Sequence, residues 1–393
     1  MTIPRRPNAC VVGTGFIGPA HIEALRRIGI PVAGLVERDA ATAEAKARAL
    51  GVTRGYPSLE AALADPGIDV VHLAVPNHLH APCARAALAA GKHVLCEKPL
   101  ALTSAESAEL VQQARDSGRV AAVNYNLRFY PLVHEARERV RAGRLGRPFL
   151  VHGSYLQDWL LYDTDWSWHL EPREGGVLRV VADVGTHWLD MVTFITGLRV
   201  EAVMADLATF HKVRQRPLGP VETFQGTGRR PTAAGTEAVA VSSEDAAAIL
   251  LRFQGGAIGT LLVSQSSAGR KNALRFEIAG SEAALAWDSE QPNQLWLGRR
   301  AEANGILLKD PALLDPAAAG IAGFPGGHQE GYGDTLKQLF KRFYAYIEAG
   351  DLSAPRDFPT FENGHTDLLI CDALLESARA GAWVAVPDPR RQP

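Results

Sequence analysis

ACVVGTGFIG, residues 9–18, runs four apolar residues into three glycines at GxGxxG spacing. A short buried strand that ends in such a turn and opens a helix is the entrance of a doubly wound α/β sheet. Gly13 permits the tight turn, Gly15 lets backbone amides approach a pyrophosphate, and Gly18 allows close packing of helix on strand. Phe16 and Ile17 lie within the same loop and count with its glycines as cofactor contacts. The anion would rest on the helix N-terminus, where unpaired N–H groups and the helix dipole favour negative charge. Pro19 is unusual there, yet the first turn tolerates a missing N–H. The motif alone is weak evidence, since a glycine turn packed on a helix is the ligand-free alternative, so the context decides. Glu37 closes the second apolar run about twenty residues on, where a carboxylate accepts hydrogen bonds from an adenosine ribose. It argues for NAD, because it would repel a 2′-phosphate, while Arg38 beside it leaves NADP open.

Outward from that loop, short β-branched runs alternate with helical segments up to about residue 125, the signature of parallel βαβ units. ACVV (9–12), VAGLV (32–36), DVVHLAV (69–75), HVLCE (93–97) and VAAV (120–123) are the strand candidates. Most of the intervening helices close on a glycine suited to the C-terminal cap. After residue 127 the texture changes to longer strands joined by hairpins. AAAILLRFQGGAIGTLLVSQ reads as two strands around Gly255 and Gly256, and ALRFEIAGSEAALAW as two more around Gly280 and Ser281. The expected architecture is a Rossmann domain over 1–127, then an α+β domain over 128–393 with a large, mostly antiparallel open sheet. The exposed face of that sheet could pair with another subunit as a homodimer or homotetramer. Residues 212–243 and 298–333, rich in Gly, Pro, Ala and polar side chains, read as long loops that are lids, contacts or disordered insertions.

At 393 residues the chain is long enough for two domains. Apolar residues at 47% and charged residues at 21% suit a globular protein. A net charge of −2 provides no field for nucleic acid or anionic membrane. The N-terminal segment lacks the apolar core and cleavage site of a signal peptide, and no run is long enough to span a bilayer, so the expectation is a cytoplasmic protein. Cys10, Cys83, Cys96 and Cys371 show neither CxxC nor zinc-finger spacing and read as reduced core residues.

CEKPLALT, residues 96–103, puts a lysine and a proline where a strand should end. A half-buried lysine there is costly unless it has a task. Together with GTGFIG, PNHLH, AGKHVLCEKPLALT, NYNLRFYP, GRLGRP and GGVLRVVADVGTHWLDMVTFITG, in that order, the chain resembles the Gfo/Idh/MocA family of oxidoreductases along nearly its whole length. EKP alone is unspecific; the ordered set is specific. The resemblance implies that Glu97 and Lys98 lie by the nicotinamide ribose and the substrate, with the Lys98–Pro99 bond often cis. The chemistry agrees, since a secondary alcohol losing hydride needs a hydrogen-bond donor or a cation at its oxygen, and Glu97 could orient Lys98 for that task.

Oxidising an alcohol also releases a proton. DVGTHWLD supplies Asp183 and His187 four apart, hence on one face if helical, and histidine suits general-base work. By resemblance His187 takes the hydroxyl proton and Asp183 binds substrate hydroxyls, while Asp190 only caps or packs. The same spacing could ligate a metal, but no third ligand is evident and no metal is expected. His78 and His80 in NHLH also invite a metal reading; a cofactor contact or a helix cap is the alternative, and relatives use this segment, Pro76, Asn77 and His80, around the nicotinamide half. Asn126 matches the asparagine of the family's NYR-like pattern and would face cofactor and substrate, whereas Arg128 could equally hold the domain junction.

GSYLQDWLLYDTDWSWHLEP (153–172) sets Trp159, Trp166 and Trp168 among Gln157, Asp158 and Asp165. Ring faces beside polar acceptors suit a pyranose, so Gln157, Asp158 and Trp166 are substrate candidates; aromatic anchoring of a loop is the plainer account. YLQDW resembles sugar-oxidising members of the family, some acting at a C3 hydroxyl. The expectation is an NAD(P)-dependent dehydrogenase of a sugar, anhydrosugar, glycoside or cyclitol. Relatives that are redox-neutral glycosidases or lyases, or silent dinucleotide-binding sensors, are the other classes; a sensor would have lost Lys98 or His187.

Overall fold

The structure, a computed structural model, describes residues 5–219 and 235–389. The chain divides into two compact units. The first holds the residues up to Asn126 with Arg173–Gly176 and Thr335–Leu368; the second holds Leu127–Pro172, Val177–Asp334 and the chain from Leu369 onward.

In the first unit, β1 (Ala9–Val12), β2 (Val32–Val36), β3 (Gly55–Tyr56), β4 (Val70–Leu73), β5 (His93–Cys96) and β6 (Ala121–Val123) form a parallel sheet in the order β3-β2-β1-β4-β5-β6. This is the doubly wound order, whose reversal between β1 and β4 opens a crevice beyond the strand ends. The strands read as continuous apolar runs because helices cover both faces. Strand β3, two residues long, carries no apolar run and escaped the sequence reading. Helix Ser104–Ser117 begins on a capping box between Thr103 and Glu106 and ends at Gly118 in the left-handed region.

In the second unit, β7 (Pro148–Leu156), β8 (Val200–Ala208), β9 (Val213–Pro217), β10 (Thr236–Ala240), β11 (Ala246–Phe253), β12 (Ile258–Ser264), β13 (Ala273–Gly280), β14 (Ala284–Asp288), β15 (Gln294–Gly298), β16 (Gly305–Leu308) and β17 (Val384–Ala385) follow. Among the described residues nine of these form one sheet, β16-β15-β14-β13-β7-β12-β11-β8-β17. It is antiparallel except where β12 runs parallel to β7. One face packs under helices Pro131–Arg141 and Thr186–Thr196, where Trp188 is fully buried and its Nε1 donates to Arg275 O at 2.9 Å. The other face presents Leu150, Leu250, Ile258 and Leu262, each 44–55% exposed.

The stretches read as long loops are only partly so. β9 and β10 pair antiparallel, residues 220–234 between them lying outside the described residues. Residues 298–333 contain β16 and the short helix Pro316–Ala319. Ile306 and Leu308 are exposed, so the apolar alternation that marks a half-buried strand never develops there. Among the described residues, no helix is long and apolar enough to cross a membrane.

Candidate active site

Each unit carries its own share of the polar groups, and the first carries the glycine loop. Gly13 sits at φ +86°, and a Cβ there would meet Ala74 O at 2.6 Å. A Cβ on Gly18 would strike the Gly13 carbonyl, whereas one on Gly15 would meet nothing within 4 Å. Two glycines are therefore demanded by the protein's own packing and the third is not. Gly15 leaves open the approach that a pyrophosphate needs, beside the N-terminus of helix Ile17–Arg27. The residues fit a dinucleotide. Glu37 Oε1 accepts from Thr14 N at 3.0 Å and from the Thr14 hydroxyl, tying the end of β2 to the loop. Phe16 is 59% exposed at the loop's tip, and Arg38 is exposed, beside Asp39.

At the ends of β4 and β5 the polar side chains are committed. Asn77, in the turn after Pro76, donates to Gly175 O at 3.1 Å. His80 is buried with Nδ1 at 2.6 Å from Pro99 O and Nε2 at 2.9 Å from Val75 O; as a neutral imidazole it donates to one of the two carbonyls. Burial holds its pKa below the ordinary histidine value. His78 is half-buried. The Lys98–Pro99 peptide is cis. Asn126 is buried and donates to Thr335 Oγ1 at 2.7 Å.

Glu97, behind Lys98, sits in a cluster that sequence reasoning missed. His21 Nε2 lies 3.0 Å from Glu97 Oε1, Asn124 Nδ2 donates to the same oxygen, and Lys98 N donates to Oε2 at 3.2 Å. Burial alone would raise the Glu97 pKa; the His21 hydrogen bond, the charge His21 carries in strong acid, the Lys98 charge and the Asn124 amide outweigh it and bring it to about 2. Glu97 is a carboxylate at every working pH. The available signal was His72, a lone polar residue inside the apolar run of β4.

In the second unit, Asp183 lies in a π-helical turn, Val181–Gly185, that runs straight into helix Thr186–Thr196 carrying His187. Such turns mark functional sites in many helices, and spacing arguments do not reveal them. Asp183 Oδ2 accepts from Gln265 Nε2 at 2.6 Å, and Gln265 Oε1 in turn accepts from Arg179 Nη1 at 3.1 Å. Arg179 and Arg214 are both buried against Asp245. Burial would raise the Asp245 pKa, but these two guanidinium groups and the backbone N–H of His211 hold it below the usual value. His187 is buried, its ring 6.3 Å from that of Tyr155. Asp190 accepts from Arg128 Nε at 2.6 Å and from its Nη2, a two-pronged pair inside the second unit.

Gln157 donates to Asn272 at 2.8 Å and accepts from Trp159 Nε1 at 2.8 Å, and Asp158 accepts from Lys271 Nζ at 2.7 Å. Trp159 and Trp166 pack on the small cluster of Leu160, Leu170 and Val241. Loop anchoring thus accounts for part of the aromatic content of 153–172. Among the described residues, no group of three or more His, Cys, Asp or Glu side chains is arranged to hold a metal ion.

Residues 8–125 match the model of an oxidoreductase family with an NAD-binding Rossmann fold, and residues 133–286 match the GFO/IDH/MocA C-terminal domain. Levoglucosan dehydrogenase of Pseudarthrobacter phenanthrenivorans is 32% identical, over 97% of this chain and 98% of that protein. Among solved structures, levoglucosan dehydrogenase in complex with NADH and levoglucosan superimposes with a TM-score of 0.86 at 30% identity, covering 98% of this chain and all of that one. An inositol dehydrogenase homologue complexed with NAD+, from Azotobacter vinelandii, follows at 0.85 and 27%, covering 98% of each.

Proposed function

The chain belongs to the Gfo/Idh/MocA family of NAD-binding oxidoreductases, and from that premise we propose that it oxidises a secondary hydroxyl of a pyranose, anhydrosugar, glycoside or cyclitol. The observation that carries the reading is Lys98, at the carboxyl edge of the parallel sheet, backed by a carboxylate that is ionised throughout the neutral range. The glycine loop, Glu37 and the segment around Pro76 and Asn77 would hold NAD. NAD supplies the hydride acceptor when bound. Lys98 steadies the negative charge that develops on the substrate oxygen, and the hydrogen bond from Lys98 N to Glu97 fixes the backbone from which the ammonium projects. His187 takes the hydroxyl proton, and Asp183, held by Gln265, binds neighbouring hydroxyls. Similarity to levoglucosan dehydrogenase favours a sugar ring, with C3 the carbon we propose to be oxidised.

The test is NADH formation against a panel of monosaccharides, anhydrosugars, glycosides and inositols. Lys98→Ala should lower turnover roughly a hundredfold or more while NAD affinity stays near the parent's, as expected when a contact made only in the transition state is lost. Parent-like turnover in that variant would remove Lys98 from the chemistry, and release of a glycoside leaving group without net NADH would turn the reading to the redox-neutral class. We further propose that two copies meet through the apolar outer face formed by Leu150, Leu250, Ile258 and Leu262. A monomer by sedimentation at micromolar concentration would rule that out. The proposed setting is the cytoplasm, where the four free cysteines stay reduced.

A further inference from the structure

The first unit contains a buried polar chain that the catalytic reading does not use. The Tyr344 hydroxyl lies 2.9 Å from His72 Nε2, His72 Nδ1 lies 3.1 Å from His21 Nδ1, and His21 Nε2 lies 3.0 Å from Glu97 Oε1. Tyr344 is 2% exposed and the two histidines are fully buried, with Phe340 set edge-on to both rings. Tyr344 comes from helix Tyr332–Ala349, His72 from β4, and His21 from the helix that follows the glycine loop.

The direction of the chain follows from its ends. Among the described residues, His72 Nε2 is the only hydrogen-bond partner of the Tyr344 hydroxyl, so a buried O–H must donate there or go unsatisfied. His72 Nε2 is then the acceptor and Nδ1 carries the proton. Only one proton fits between two ring nitrogens 3.1 Å apart, so His21 Nδ1 accepts. A neutral His21 then has its proton on Nε2, aimed at Glu97; the Asn124 amide N, 3.3 Å from that nitrogen, donates to Glu97 Oε1 instead. Burial holds His72 neutral.

We infer that Tyr344, His72 and His21 form a one-way hydrogen-bond wire that keeps His21 neutral and Glu97 the undivided counter-charge of Lys98. All three are positioning residues for the lysine. The inference rests on Lys98 acting as proposed above. Were Tyr344 unable to donate, His72 could turn its proton to Nε2, and His21 could then take a proton on Nδ1 and become a cation. That cation would share the Glu97 carboxylate and repel the ammonium. Other titratable groups acting on the chain are Lys98 and His80 near Glu97, Cys96 next to it, and Cys10, Asp69 and Glu348 around Tyr344. None of them supplies the missing donor.

Tyr344→Phe removes a single oxygen, and His72→Gln is the second variant should it fold poorly. Two readouts are taken on the full-length protein with its folding checked by thermal midpoint: 15N imidazole shifts against pH, and kcat and KM against pH on the best substrate of the panel. In the parent, His21 and His72 should show neutral tautomers down to pH 5. In the variants, His21 should become a cation as the pH is lowered, and kcat should fall with its protonation, KM for NAD staying unchanged. A cationic His21 in the parent, or superimposable kcat–pH profiles of parent and variants, would overturn the wire. If the panel gives no substrate, or Lys98→Ala is fully active, the dehydrogenase reading fails while the imidazole shifts still decide the wire.

Discussion

Asp183 illustrates what single residues depend on. Its carboxylate is aimed by Gln265, whose own carbonyl is held by Arg179, which is neutralised by Asp245. Gln265→Leu would take the Gln265 donor from Asp183 and leave Arg179 with one fewer acceptor. The loss of one charged hydrogen bond, on the order of 1.5 kcal/mol, should raise substrate KM about tenfold without changing NADH affinity. Gln265→Glu should do worse once both facing carboxylates are charged and repel, so its defect should deepen as pH rises. Titration calorimetry with NADH and initial rates against substrate separate the two effects; a parent-like KM in both variants would take Asp183 out of substrate binding. Lys98 and His187 were legible in the sequence because charged and titratable residues next to apolar runs are conspicuous. Gln265, 82 positions from the group it orients, carries no such mark.

At the scale of elements, the three glycines do different work, and their variants should separate folding from binding. Gly13→Ala forces a side chain into the left-handed region against the Ala74 carbonyl and should cost roughly 1–3 kcal/mol of stability. Gly15→Ala meets no protein atom and has no positive φ, so the thermal midpoint should hold while NADH affinity drops about tenfold or more. If Gly15→Ala bound NADH as well as the parent, the loop would not be the pyrophosphate cradle. The periodicity that revealed β1, β2, β4, β5 and β6 comes from burial on both faces, and the alternation in β11 and β12 comes from burial on one. Elements held by neither were missed: β3 at the sheet edge, β16 with its exposed Ile306 and Leu308, and the hairpin of β9 and β10, whose Arg214 is buried by pairing with Asp245 rather than by apolar packing. The π-turn at Val181–Gly185 is likewise set by tertiary contacts, with Glu244 accepting from Arg179 N and Val181 N at its start.

At the scale of the whole molecule, twelve histidines and a net charge of −2 describe an unremarkable surface, yet several imidazoles are interior. The count says nothing of this, because burial of His72 depends on Tyr344, 272 positions later, within the Thr335–Leu368 segment that rejoins the first unit. Burial depresses His72 and His80, and burial with Arg119 depresses His93 to about 4. A group whose folded pKa lies below its unfolded value leaves the unfolded chain holding more protons, so stability is full above about 6.5 and drains as pH falls toward the folded values. Glu97 adds a second, more acidic window, from the ordinary carboxylate value down to about 2, worth on the order of 3 kcal/mol. Thermal midpoints by calorimetry should therefore be level from pH 8 to 7 and fall progressively from 6.5 to 4.5. His93→Gln, which removes one of these titrations while leaving an amide to accept from Val120 N, should flatten the upper part of that slope. A midpoint that held or rose as the solution was acidified through this range would mean that the interior imidazoles accept protons without loss of the fold.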